Sequence, residues 1–122
     1  MIDKTNLDAK FNLITEYWTP KIIAESNEQL VKLAKLKGEF IWHDHEEEDE
    51  LFFIVKGKLL LRFEDRDVHL KENELFVVPA GIKHLPIAEE ECWVMLIEPK
   101  STTHTGSVKS ERTIEIDQQE WI

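Results

Sequence analysis

The spacing of apolar residues changes its period once along the chain. Between Thr5 and Trp18 the residues Leu7, Phe11, Ile14 and Trp18 recur at steps of four, three and four, the pattern of one face of a short amphipathic helix. Thr5 or Asn6 stands where an N-cap belongs, and Pro20 ends the pattern. Beyond it the chain reads as short β-branched or aromatic runs. They predict strands over Lys21 to Ala24, Gln29 to Leu36, Glu39 to Trp42, Leu51 to Val55, Lys58 to Phe63, Val68 to Leu70, Leu75 to Val78 and Cys92 to Glu98. Ser26-Asn27, Lys37-Gly38, Lys56-Gly57, Glu64 to Asp67, Glu72-Asn73 and Pro79-Ala80-Gly81 supply residues that tolerate tight or left-handed turns. Such punctuation predicts an all-β antiparallel sandwich or barrel behind a short N-terminal helix.

Composition narrows the function. The 122 residues are 42% hydrophobic, enough for a soluble core, and no repeat or Gly/Ser linker divides them, so residues 1–122 are expected to be one domain. A polar tail over 99–122 carries Ile114, Ile116, Trp121 and Ile122 as apolar anchors. Fifteen Lys and Arg against 25 Asp and Glu give a formal charge of -10, which repels phosphate backbones and anionic lipid, so no nucleic acid and no membrane is expected as a partner. The polar start MIDKTNLDAK and the want of a long apolar run imply a cytoplasmic protein. A single cysteine, Cys92, excludes an internal disulfide and reads as a buried, inert thiol beside Trp93 to Ile97. The four tryptophans, Trp18, Trp42, Trp93 and Trp121, read as core or interface anchors, and His69 and His104 as surface residues.

The chemistry concentrates in Gly38 to Leu51. Successive side chains of a strand point to opposite faces, so His43 and His45 share one face and can chelate one metal ion. Glu50, at the entry of the apolar run Leu51-Phe52-Phe53-Ile54-Val55, can bring a carboxylate oxygen to the same ion, while Glu46, Glu47, Glu48 and Asp49 read as a solvated loop. A carboxylate buried at that position is costly unless a cation pairs it. His84 follows the turn Pro79-Ala80-Gly81 and completes the set if its strand faces the first histidines. By strand phase Ile41, Phe52 and Ile54 face the interior, where they serve as core packing, as an apolar pocket wall over the metal, or as both.

The series His43-x-His45, Glu50, Gly57, then Pro79-x-Gly81-x-x-His84, resembles the two motifs of the cupins, over roughly residues 29–98. The resemblance is to small single-domain bacterial cupins, some of them described as sugar-phosphate isomerase-like. It implies a double-stranded β-helix, or jelly-roll, barrel in which His43, His45, Glu50 and His84 hold one divalent transition metal such as Zn, Ni, Mn or Fe. The chain departs from the motifs at three places. Gly38 stands five residues before His43 rather than six, Asn73 replaces the opening glycine of the second motif, and Ala88 replaces its closing asparagine. The function implied is isomerase or dioxygenase chemistry on a small oxygenated molecule, with a non-catalytic metal or small-molecule binding or sensor module as the alternative. Arg62 and Arg66 fall outside the Leu59, Leu61, Phe63 face, so no basic cluster awaits a phosphate. A homodimer is expected by analogy, pairing through the segment from Lys21 to Leu36.

Overall fold

The computed structural model describes residues 3–102 and 119–122. Helix α1, Leu7–Phe11, is capped by Asn6, whose side chain accepts a hydrogen bond from the Ala9 amide at 2.9 Å. It is shorter than the apolar spacing predicts, because Asn12, Ile14 and Thr15 are poor helix formers and the turn after Phe11 already buries Ile14. Phe11 and Ile14 settle on the outer face of the sheet with Leu33, and Phe11 stacks on Trp93 at 4.6 Å between ring centroids.

Among the described residues seven antiparallel strands follow: β1 (Lys21–Ser26), β2 (Gln29–Glu39), β3 (Glu50–Lys56), β4 (Lys58–Phe63), β5 (Asp67–Lys71), β6 (Leu75–Val78) and β7 (His84–Pro99). The order is β1-β2-β7-β3-β6, with the β4–β5 hairpin joined to the first half of β7. The sheet is thus rolled in jelly-roll fashion but is not a closed barrel. Its turns use the residues their backbones demand. Asn27 and Glu28, both at positive φ, turn β1 into β2, and Asn73 adopts φ 68° where a glycine stands in the motif it resembles. Gly57, at φ 87°, joins β3 to β4, and a Cβ there would lie 2.8 Å from the carbonyl oxygen of Glu91. A side chain at this turn would therefore force β3 and β7 apart.

Two predicted strands differ from those observed. The stretch Glu39 to Trp42 is not a strand of its own: β2 runs on to Glu39 through a bulge between Leu36 and Gly38, and the chain then leaves the ladder. The last strand begins at His84, eight residues before the predicted Cys92. Pro86 and the run Glu89-Glu90-Glu91 resemble a loop, yet Pro86 pairs with Leu61 and its carbonyl accepts the Phe40 amide.

The interior holds Ala34, Leu36, Phe52, Ile54, Leu59, Leu61, Val94 and Leu96 among other apolar side chains. The free edge of β1 is met by the C-terminus, where the Ile22 amide donates to the Glu120 carbonyl and the Ile122 amide to that of Ile22. The segment expected to pair between subunits is therefore flanked within the chain, β2 by β1 and β7, and β1 by β2 and Glu120 to Ile122. Of the four tryptophans, Trp18 and Trp93 pack against the core clusters whereas Trp42 and Trp121 are exposed, so those two are not core residues. His69 is exposed, while His104, Ile114 and Ile116 lie outside the described residues. No helix among the described residues is long and apolar enough to cross a membrane.

Candidate metal centre

Backbone pairing brings the distant histidines together. His43 and His84 exchange both amide hydrogen bonds, at 3.0 and 2.9 Å, so their rings lie side by side at 4.3 Å between centroids. The Gly81 amide donates to the His45 carbonyl at 2.8 Å, which ties the turn before His84 to the second histidine. Glu50 enters on β3 opposite Val78 of β6. His43 and His45 sit just outside the regular strands, yet the alternation of the segment still turns both inward and leaves Trp42 exposed.

All four side chains are buried, with His84 fully so, and one ligand atom from each lies within 4.8 Å of every other. The Nδ1–H of His43 donates to the Ile41 carbonyl at 2.9 Å, and that of His84 to the Ile82 carbonyl at 3.0 Å. Those bonds select the tautomer whose Nε2 lone pair is free to bind a cation. His45 Nε2 and His84 Nε2 approach Glu50 Oε1 at 3.3 and 3.5 Å, and none of these three atoms has a well-aligned hydrogen bond. Buried polar atoms converging without partners are costly, and one cation at their centre satisfies them together. The donor set, three imidazoles and one carboxylate, suits a borderline divalent transition metal.

The electrostatics differ from ligand to ligand. Burial and the adjacent His84 push His43 down to about 4, so its ring is neutral at physiological pH. Burial opposes protonation of His45 too, but Glu50 outweighs it through a hydrogen bond and its charge, and the imidazole is raised above its ordinary value. Burial likewise works against the Glu50 anion, yet His45 and His84 hold it well below the usual carboxylate range.

Beside the cluster is a cavity walled by Trp18, Leu36, Phe40, Phe52, Pro86 and Leu96, with His43 and Glu50 the only ionisable side chains lining it among the described residues. Trp18, at φ 57°, stacks on Phe40 at 4.6 Å and donates its indole N–H to the Lys37 carbonyl. Of the residues expected on the pocket wall, Phe52 lines this cavity. Ile54 lies in the apolar core, and Ile41 is half-buried with its carbonyl engaged by His43. Arg62 points outward and pairs with Asp67 at 3.2 Å. Cys92 is a buried free thiol that burial pushes up to about 12, in keeping with an inert core residue.

Three contributors escape the sequence reading. Asp49 does more than face solvent, because its carboxylate accepts the Ala80 amide at 2.8 Å and pins the turn that presents His84. Lys32 and Glu98 are fully buried and ion-paired at 2.8 Å. Burial and the nearby Glu50 push Glu98 up to about 8, against the pull of Lys32. Strand phase could have revealed this pair, since Lys32 alternates with the interior residues Ala34 and Leu36, and Glu98 with Val94 and Leu96.

A rolled antiparallel sheet with inward histidines and a glutamate from two motifs defines the cupin class. Residues 29–98 match the Cupin_2 family, described as Cupin domain, and the chain belongs to that family. A crystal structure of a cupin-2 domain containing protein from Shewanella frigidimarina NCIMB 400 superposes with a TM-score of 0.77 at 43% identity, over 78% of this chain and 93% of that one. The uncharacterized protein YdbB of Bacillus subtilis (strain 168) is 39% identical over 80 residues, 65% of this chain and 71% of YdbB. The 3-hydroxyanthranilate 3,4-dioxygenase of Danio rerio is 37% identical over 57 residues, 43% of this chain but only 20% of the dioxygenase.

Proposed function

We propose that the protein is a metal-dependent enzyme acting on a small oxygen-bearing molecule by dioxygenase or isomerase chemistry, with His43, His45, Glu50 and His84 holding one divalent transition metal. The observation that carries this reading is the convergence of four buried ligand atoms within 4.8 Å of one another. A metal held by these four residues would supply Lewis acidity and, if redox-active, a route for electrons to dioxygen. The chain's own residues do the rest. Carbonyls of Ile41 and Ile82 hold the rings of His43 and His84, the Glu50 anion offsets cationic charge, and the apolar wall keeps water from the reacting group.

The cavity wall also speaks to the substrate. With no Lys or Arg among the described residues of the lining, an anionic handle such as a phosphate has no partner there, which argues against a phosphosugar. A compact, largely apolar molecule whose oxygen reaches the floor fits better. The partial likeness to 3-hydroxyanthranilate 3,4-dioxygenase makes dioxygen chemistry the first to assay.

The test starts with elemental analysis of untagged protein beside a His43→Ala/His45→Ala variant. Near-stoichiometric transition metal that disappears in the variant is expected. Dioxygen uptake with small phenols and enols, and isomer formation from small hydroxycarbonyls, then follow on the loaded protein. Absence of metal after reloading with several divalent ions would overturn the reading. Saturable ligand binding without turnover in either assay would instead leave a metal-binding module.

A further inference from the structure

The cavity beside the ligand cluster has one wall unlike the rest. Among the described residues every side chain that lines it is buried except Trp18, which is half-buried and lies between the cavity and solvent. The enclosed space is about 30 Å³, room for roughly one or two water molecules and too little for an organic substrate. Anything larger that is to reach His43 or Glu50 must move part of the wall, and Trp18 is the part with solvent behind it.

Trp18 is held in a way that suits movement better than core packing does. A bulky side chain seldom accompanies a left-handed backbone, yet Trp18 stands at φ 57°. Its amide donates to the Lys35 carbonyl at 2.9 Å and its indole N–H to the Lys37 carbonyl at 2.8 Å. The bulge between Leu36 and Gly38 takes Lys37 out of the pairing with β7, which leaves its carbonyl for the indole. That bond lies at the exposed rim, so both partners find water when it opens and little is lost. The indole lies flat on Phe40, 14° from parallel, and Phe40 in turn meets the His43 ring at 5.5 Å between centroids. One stacked ring separates Trp18 from a histidine of the cluster.

We propose that Trp18 is the specificity-determining residue of the site. Seated on Phe40, it admits molecules of the size of water or dioxygen, and an organic ligand reaches the cluster only by displacing the indole. The role of the wall in catalysis rests on the metal reading above, whereas the wall itself does not.

The experiment therefore has two arms. In the first, metal-free protein is treated with diethyl pyrocarbonate, which carbethoxylates accessible imidazoles, and the rate at each histidine is followed by peptide mass spectrometry. Trp18→Ala is expected to speed modification of His43 at least about tenfold and to leave the exposed His69 unchanged. Phe11→Ala, a truncation on the outer face, controls for loosening of the fold and should leave His43 slow at temperatures where it is folded. In the second arm Co2+-loaded protein is mixed with azide or with catechol, and the visible bands report binding. Trp18→Ala should take up catechol at least about tenfold faster, with azide within about threefold of wild type, because only the larger ligand waits for the wall to move. Trp18→Phe keeps a smaller ring on Phe40 and should fall between wild type and Trp18→Ala with catechol.

A wild-type His43 rate in Trp18→Ala would overturn the proposal, as would an acceleration matched by Phe11→Ala. Equal acceleration of azide and catechol would also overturn it, since a merely structural role moves both alike. Should Trp18→Ala fail to fold, Trp18→Phe decides: faster catechol with unchanged azide supports the wall, and wild-type rates for both remove it. A wild-type protein that takes up no Co2+ would bring down the metal reading, and the histidine arm would still decide the role of Trp18.

Discussion

The two faces of β2 and β7 are made by alternate residues of the same strands and follow opposite rules. On the outer face Leu33, Trp93 and Met95 lie under Phe11 and Ile14, and the ammonium groups of Lys35 and Lys56 sit 5.0 and 4.6 Å from the Trp93 ring centroid. Those lysines cover an aromatic ring while their charges stay near water. One residue inward, Lys32 is fully buried and is ion-paired with Glu98, in an interior that also holds three buried histidines and a second buried glutamate. The outer face is what packing and solvation produce without further demand. The inner face gives up packing for a polar cluster, and such departures from local rules gather at functional sites.

This contrast breaks most sharply with one truncation on each face. Phe11→Ala removes a fully buried ring and its stacking on Trp93, so it should destabilise the protein by about 3–4 kcal/mol in urea unfolding while leaving stoichiometric metal in whatever remains folded. His84→Ala should do the converse, removing metal by more than about 100-fold in affinity, roughly 3 kcal/mol of binding, with the fold retained. Loss of metal in the Phe11 variant, at temperatures where it is folded, would mean that the two faces are not separable.

The faces also differ in how easily they are read from sequence. Interior positions on β3, β4 and β6 follow from strict alternation, and His43, His45, Glu50 and His84 stand out because four metal-binding residue types keep motif spacing. Lys32 and Glu98 have equally clear phase, but a charge on an interior face contradicts the ordinary preference for solvent, and alternation alone does not say what lies opposite. The early start of β7 is hidden for a different reason. Pro86 and three consecutive glutamates mimic a loop, and only the pairing of Leu60 to Phe63 with Ile87 to His84 makes a strand of them. The shortened helix shows tertiary packing overriding a period, since Trp18 leaves the face shared by Phe11 and Ile14 to stack on Phe40.

Proton competition gives a gentler test of the inner face. In the metal-free protein His45 is raised above its ordinary value by Glu50, whereas His43 is held near 4, so from pH 7 down to about 5 a proton on His45 competes with the metal and one on His43 does not. Affinity should fall at least about tenfold, or 1.4 kcal/mol, per unit of pH below the raised His45 value and level off above it, with His43 adding its own proton only near pH 4. Competition titrations with a metal indicator across pH 5 to 8 measure this slope. A flat profile would remove His45 from the ligand set.

The smallest effect expected separates the loop from the ligands it carries. Asp49 reaches the Ala80 amide from an acidic run otherwise open to solvent, and it does so across the turn that delivers His84. Asp49→Asn preserves an acceptor oxygen, so metal affinity should stay near wild type. Asp49→Ala leaves the turn without its tie and should weaken both stability and metal binding by about 1 kcal/mol, roughly fivefold in affinity, the scale of one hydrogen bond to a charged acceptor near the surface. Equal weakening in both variants would assign the effect to the charge of the acidic loop, drawing cations toward the site, rather than to the bond that holds the turn.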